Sequence, residues 1–83
     1  MKEIGLKFKE KREEGGLSVS EVATDLNVDI VDLECLENGN KEHFSNIYSL
    51  KDLIGIYAKY LGLDEKGLLN DFNEYMFSQT SKI

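Results

Sequence analysis

The stretch SVSEVATDLNVDIVDLECLENG, from Ser18 to Gly39, decides how this chain folds. Ser18-Val19-Ser20-Glu21 has the form of a capping box, in which the serine side chain accepts from a free amide three residues on and the glutamate reaches back. Val22, Ala23 and Leu26 then share one face of a short helix. Asn27 marks the turn, because asparagine enters the left-handed region more readily than most residues. Asp29 is the next N-cap, with Asp32 in the first turn at the positive helix end. Ile30, Leu33, Leu36 and Glu37 share a face of this second short helix, and Asn38-Gly39 stops it. An Asn-Gly pair also suits a hairpin, but neither flank alternates with period two.

Working outward, Lys2 to Glu14 carries Ile4, Phe8 and the stem of Arg12 at i, i+4 and i+8, one face of a helix that Gly15-Gly16 ends. After Gly39, residues Asn40 to Asn46 read as a polar loop. Ile47, Leu50, Leu53, Ile54, Tyr57, Ala58 and Leu61 mark the longest amphipathic helix, closed by Gly62. Asp64 opens the last helix, with Leu68, Leu69 and Phe72 inward and Tyr75-Met76-Phe77 as an aromatic end. Ser78 to Ile83 reads as a flexible tail, which makes residues 1–77 the domain. The expected fold is all-α, a five-helix bundle whose second and third helices have the length and spacing of a helix-turn-helix.

Composition narrows the function. With 83 residues the chain holds one domain, and its 41% hydrophobic and 31% charged residues give an ordinary globular balance. One cysteine, Cys35, excludes an internal disulfide, and one histidine, His43, with that cysteine cannot make a structural zinc site. Cys35 reads as a small half-buried apolar residue and His43 as a solvated loop residue. The carboxylates are scattered and lack a paired acid–base context, so no enzyme activity and no cofactor is expected. No stretch approaches the roughly 20 apolar residues that cross a bilayer. No basic-then-apolar leader opens the chain, and a reducing cytoplasmic setting is expected.

Ile4-Gly5, Arg12-Glu13-Glu14, Gly16-Leu17-Ser18, Glu21-Val22-Ala23 and Leu36-Glu37-Asn38-Gly39 together resemble the Xre (lambda-repressor-like) helix-turn-helix family. Tyr57-Ala58-Lys59-Tyr60-Leu61-Gly62-Leu63-Asp64 resembles more narrowly the N-terminal cytoplasmic domain of the RodZ cell-shape family. The likeness spans roughly residues 2 to 72. It implies a lambda-repressor-like bundle of five helices and a salt bridge between Arg12 and Glu37. It also implies a protein partner, the bacterial actin MreB, and a membrane anchor carried by a segment outside this chain. The chain departs from that family's helix-four pattern at Ser49, Lys51, Asp52 and Leu53, which replace Tyr, Arg, Gly and Phe.

Two functions compete on these residues. A DNA-reading helix-turn-helix, a sequence-specific transcriptional regulator, would place Ser20, Ile30, Val31, Asp32 and Glu34 against the duplex. The net charge of −6, and the absence of any base but Lys41 from Ser20 through Ser45, set the surface against a polyanion. Half of the basic residues, Lys2, Lys7, Lys9, Lys11 and Arg12, lie on the first helix among glutamates, the pattern of a solvated, salt-bridged face. A protein-interaction module would use helix four: by the resemblance Leu53 and Tyr57 take the two aromatic contact positions, although both also fit the core stripe. Tyr60 lies off that stripe and is the better candidate for exposure. Tyr75, Met76 and Phe77 suit packing on the bundle, a dimer contact, or the approach to a linker.

Overall fold

The computed structural model describes residues 1–81, all of whose regular elements are helical. They run α1 (Lys2–Glu14), α2 (Val19–Leu26), α3 (Ile30–Asn38), α4 (Ile47–Leu61) and α5 (Glu65–Ser81), with one 3-10 turn at Lys41–His43. That turn falls inside the segment expected as plain loop. The last helix continues past Ser78 through Ser81, so most of the expected tail is helical; residues 82–83 of that tail lie outside the described residues.

The caps are those the side chains dictate. Ser18 Oγ accepts from the Glu21 amide at 3.1 Å, and Glu21 Oε1 accepts from the Ser18 amide at 3.1 Å. Two of the amide donors that a helix start leaves unpaired are thereby satisfied. Asn27 closes α2 at φ 56°, ψ 45°, the one non-glycine residue with positive φ among those described. Asp29 Oδ1 then accepts from the Val31 amide at 3.0 Å and starts α3 after a three-residue link, Asn27 to Asp29. Asn46 caps α4 in the same way through the Tyr48 amide at 2.8 Å.

The core is a single cluster drawn from every α-helix, with Phe8, Val22, Leu33, Leu36, Leu50, Ile54, Tyr57 and Phe72 among its fully enclosed members. Burying each such side chain stabilises the fold by roughly 1.5–3 kcal/mol. Ile30 does not join Leu33 and Leu36 there. It is 39% exposed, because the packed face of α3 centres on Leu33, Leu36 and Glu37. Two helices approach closely at Gly5: a Cβ there would stand 2.4 Å from the Leu36 carbonyl oxygen and 2.5 Å from that of Glu37. α1 and α3 therefore touch backbone to backbone, which only glycine allows. At the end of α3, Gly39 combines φ 73° with Lys2 backbone 2.8 Å from where its Cβ would stand.

Candidate protein-interaction site

Polar groups fix how α1, α3 and α4 meet. Arg12 Nε donates to Glu37 Oε2 at 2.8 Å and a terminal nitrogen donates to Oε1 at 3.0 Å, a two-pronged pair. The other terminal nitrogen donates to the Leu17 carbonyl at 2.8 Å. The Tyr57 hydroxyl donates to Glu37 Oε2 at 2.5 Å, and the Tyr57 ring stacks on Phe8 at 4.8 Å. Arg12 and Glu37 are both buried, and no buried side-chain nitrogen or oxygen is left unpaired among the described residues. A buried charge is tolerable only when paired and hydrogen-bonded in this way. The bond to Glu37 raises the Arg12 pKa above its ordinary value. Burial first, and then the bond to Glu37, raise that of Tyr57 well above its ordinary value.

This network removes Tyr57 from the contact surface. Its side chain is fully enclosed and its hydroxyl is spent on Glu37, so it is a core residue and not a partner contact. Leu53, at 5% exposure, is corrected to a core residue of the α4 stripe with Leu50, Ile54 and Tyr57, and shows only an edge, toward the hollow lined by Val28, Phe44 and Ile56. Tyr60 is half-buried and ties α4 to α2 through its hydroxyl, which donates to Asp25 at 2.5 Å. That bond raises the Tyr60 pKa above its ordinary value. Tyr60 keeps part of its surface accessible, but its hydroxyl is occupied within the domain.

The outer face of α4 is a different set. Tyr48, Asp52, Ile56 and Lys59, at i, i+4, i+8 and i+11, are all exposed, with Tyr48 at 69% and Ile56 at 41%. An aromatic and a branched apolar side chain held on one rigid helix face suit a macromolecular contact. The periodicity that located the core stripe also puts Tyr48 and Ile56 opposite it, so the signal for them was present in the sequence.

The residues a DNA-reading domain would use are placed as follows. Ser20 is exposed, and its backbone carbonyl accepts from the Thr24 hydroxyl. Ile30 and Val31 project from the first turn of α3, and Glu34 is exposed one turn on. Asp32 Oδ1 lies 2.7 Å from His43 Nε2, so His43 is engaged rather than simply solvated. The helix that would enter a major groove thus presents two apolar side chains among carboxylates.

The family model described as "Helix-turn-helix domain" matches residues 7–68. The chain belongs to this helix-turn-helix family. Its fold is similar to that of a chain in the solved structure described as "Bacterial actin MreB assembles in complex with cell shape protein RodZ", with a TM-score of 0.85 and 25% sequence identity. The likeness covers 93% of this chain and 94% of the other, and RodZ, the cell shape protein of that complex, is what this chain resembles. None of the curated proteins matches it. No described helix is long and apolar enough to cross a membrane, and no described group of His, Cys, Asp and Glu is arranged to hold a metal ion.

Proposed function

We propose that this helix-turn-helix domain is a non-catalytic protein-interaction module whose partner is a bacterial actin of the MreB type. The observation that carries the reading is the whole-domain likeness to RodZ in its assembly with MreB, 93% of one chain on 94% of the other. The exposed face of α4 supports it by offering Tyr48 and Ile56 on a rigid helix as the proposed contact. Tyr60 lies at the edge of that contact. The domain works in the cytoplasm, and any membrane anchor is supplied by a segment outside these 83 residues.

Co-sedimentation with bacterial actin filaments tests this. The parent domain is expected in the filament pellet, and Tyr48→Ala/Ile56→Asp in the supernatant with its thermal midpoint unchanged. A parent domain that stays in the supernatant refutes the proposal. DNA reading is the second function that the helix-turn-helix fold allows, and Asp29 at the N-cap of α3 with Asp32 and Glu34 on it oppose it. Duplex DNA binding that weakens steeply with salt, followed by fluorescence anisotropy, would put DNA first.

A further inference from the structure

Between the start of α3 and α4 runs an apolar groove of about 250 Å³. Val28, Phe44, Leu53 and Ile56 form its apolar lining, and Asp32 and Asp52 are its two carboxylates. Val28 and Phe44 are half-buried and Ile56 is 41% exposed, so a side chain entering the groove would find apolar surface that the fold itself leaves uncovered. The groove's one bound carboxylate is Asp32, on His43; Asp52 has no hydrogen bond or ion pair among the described residues.

The charged residues of the groove's own lining, Asp32 and Asp52, have one sign, and Lys51 and Lys59 lie on the adjoining side of α4. On the same helix as Asp32, Asp29 stands at the N-cap and Glu34 is exposed, and Lys41, the single Lys or Arg from Ser20 through Ser45, lies 3.7 Å from Glu42. Apolar lining under an acidic rim is complementary to an apolar side chain flanked by cations. It is equally mismatched to nucleic acid and to a second copy of this chain, which itself carries a net charge of −6.

We infer that the α3–α4 groove is a docking site for a basic amphipathic segment of a protein partner, which seats one large apolar side chain on Phe44 and Ile56 and sets Lys or Arg against Asp32 and Asp52. This rests on the reading of the domain as a protein-binding module, and not on the partner being an actin. It gives the acidic start of α3, through Asp32, a use suited to its charge.

The test uses the whole 83-residue chain, isotope-labelled, and three 12-residue peptides with one apolar pattern of Leu and Phe. The first carries Lys and Arg at its polar positions, the second Glu, and the third Ser. The basic peptide is expected to shift the amides of Val28, Asp32, Phe44, Asp52 and Ile56, and the acidic one to leave them in place. Asp32→Asn/Asp52→Asn, in which Asn keeps a hydrogen-bonding group beside His43, is expected to weaken the basic peptide by about fivefold and flatten its salt dependence. Ile56→Ser is expected to weaken it by about tenfold. Equal binding of the acidic and basic peptides, shifts scattered away from the groove, or no binding of any peptide overturns the inference. Shifts of the same amides on concentrating the chain alone, or on adding duplex DNA in place of peptide, also overturn it. Actin co-sedimentation is read separately: a domain that pellets with filaments yet shows no peptide charge preference sinks this inference and leaves the proposed function standing.

Discussion

Replacing Tyr57 with phenylalanine removes one oxygen atom and leaves the ring where it is, enclosed in the core and stacked on Phe8. The lost hydroxyl donates to Glu37 Oε2, a charged acceptor, and such bonds contribute about 1.5–3 kcal/mol. Two facts place the cost in the lower half of that range. Oε2 keeps its bond from Arg12 Nε, so no lone acceptor is stranded, and phenylalanine carries no hydroxyl to desolvate. About 1.5–2 kcal/mol in a domain of this size lowers the thermal midpoint by roughly 6–16 °C. Thermal melts followed by circular dichroism at 222 nm measure this, and actin co-sedimentation well below the midpoint measures binding in parallel. The expected result is a lower midpoint with partner binding retained. A midpoint within about 2 °C of the parent would refute the network's role, since that shift corresponds to well under 1 kcal/mol here. Binding lost at an unchanged midpoint would refute the placement of Tyr57 in the core.

Other perturbations act on the same architecture. Gly5→Ala puts a methyl group 2.4 Å from the Leu36 carbonyl oxygen, so α1 and α3 must separate. A loss of at least about 1–3 kcal/mol in urea titration is expected, and an unaltered midpoint would show that the helices yield without cost. Arg12→Met strands the buried Glu37 carboxylate and is expected to cost about 3–5 kcal/mol. In the same unfolding assay, Arg12→Met/Glu37→Met/Tyr57→Phe should recover most of that loss, because no buried charge or hydroxyl then remains. The raised pKa of Tyr57 stabilises the fold fully below its unfolded value of about 10, and that contribution is lost as pH climbs toward the folded value. Thermal midpoints are therefore expected to fall above about pH 10, less steeply in Tyr57→Phe; equal slopes would show that Tyr57 does not govern the alkaline limit.

The helices themselves were legible because their ends are written locally. Ser18 with Glu21, Asp29 and Asn27 satisfy or bend the backbone within three residues of their own position, and each does so in the fold. The place of Arg12 on the Ile4–Phe8 stripe showed that a guanidinium would be buried, and the family resemblance supplied Glu37 as its partner. Tyr57 as the third member was not legible: its hydroxyl reaches a residue 20 positions away, on another helix. Gly5 likewise gave no local sign, because what it makes room for is the backbone of α3.

The contact surface divides in the same way. By itself the sequence determined an all-helical, helix-turn-helix domain with an acidic reading helix, since caps, periodicity and charge are properties of neighbouring residues. Which side chains of α4 remain outside was a tertiary decision. Leu53 and Tyr57 were open between core and contact, because a helical stripe shows which residues travel together and not how wide a strip the neighbours cover. Packing of α4 against α1 and α5, with the Tyr57 bond to Glu37 of α3, put both in the core and left Tyr48 and Ile56 outside. The α3–α4 groove has no counterpart in any one segment: Val28, Phe44 and Ile56 come together only because a buried ion pair and a glycine contact set α3 against α1, and the shared core seats α4 beside them.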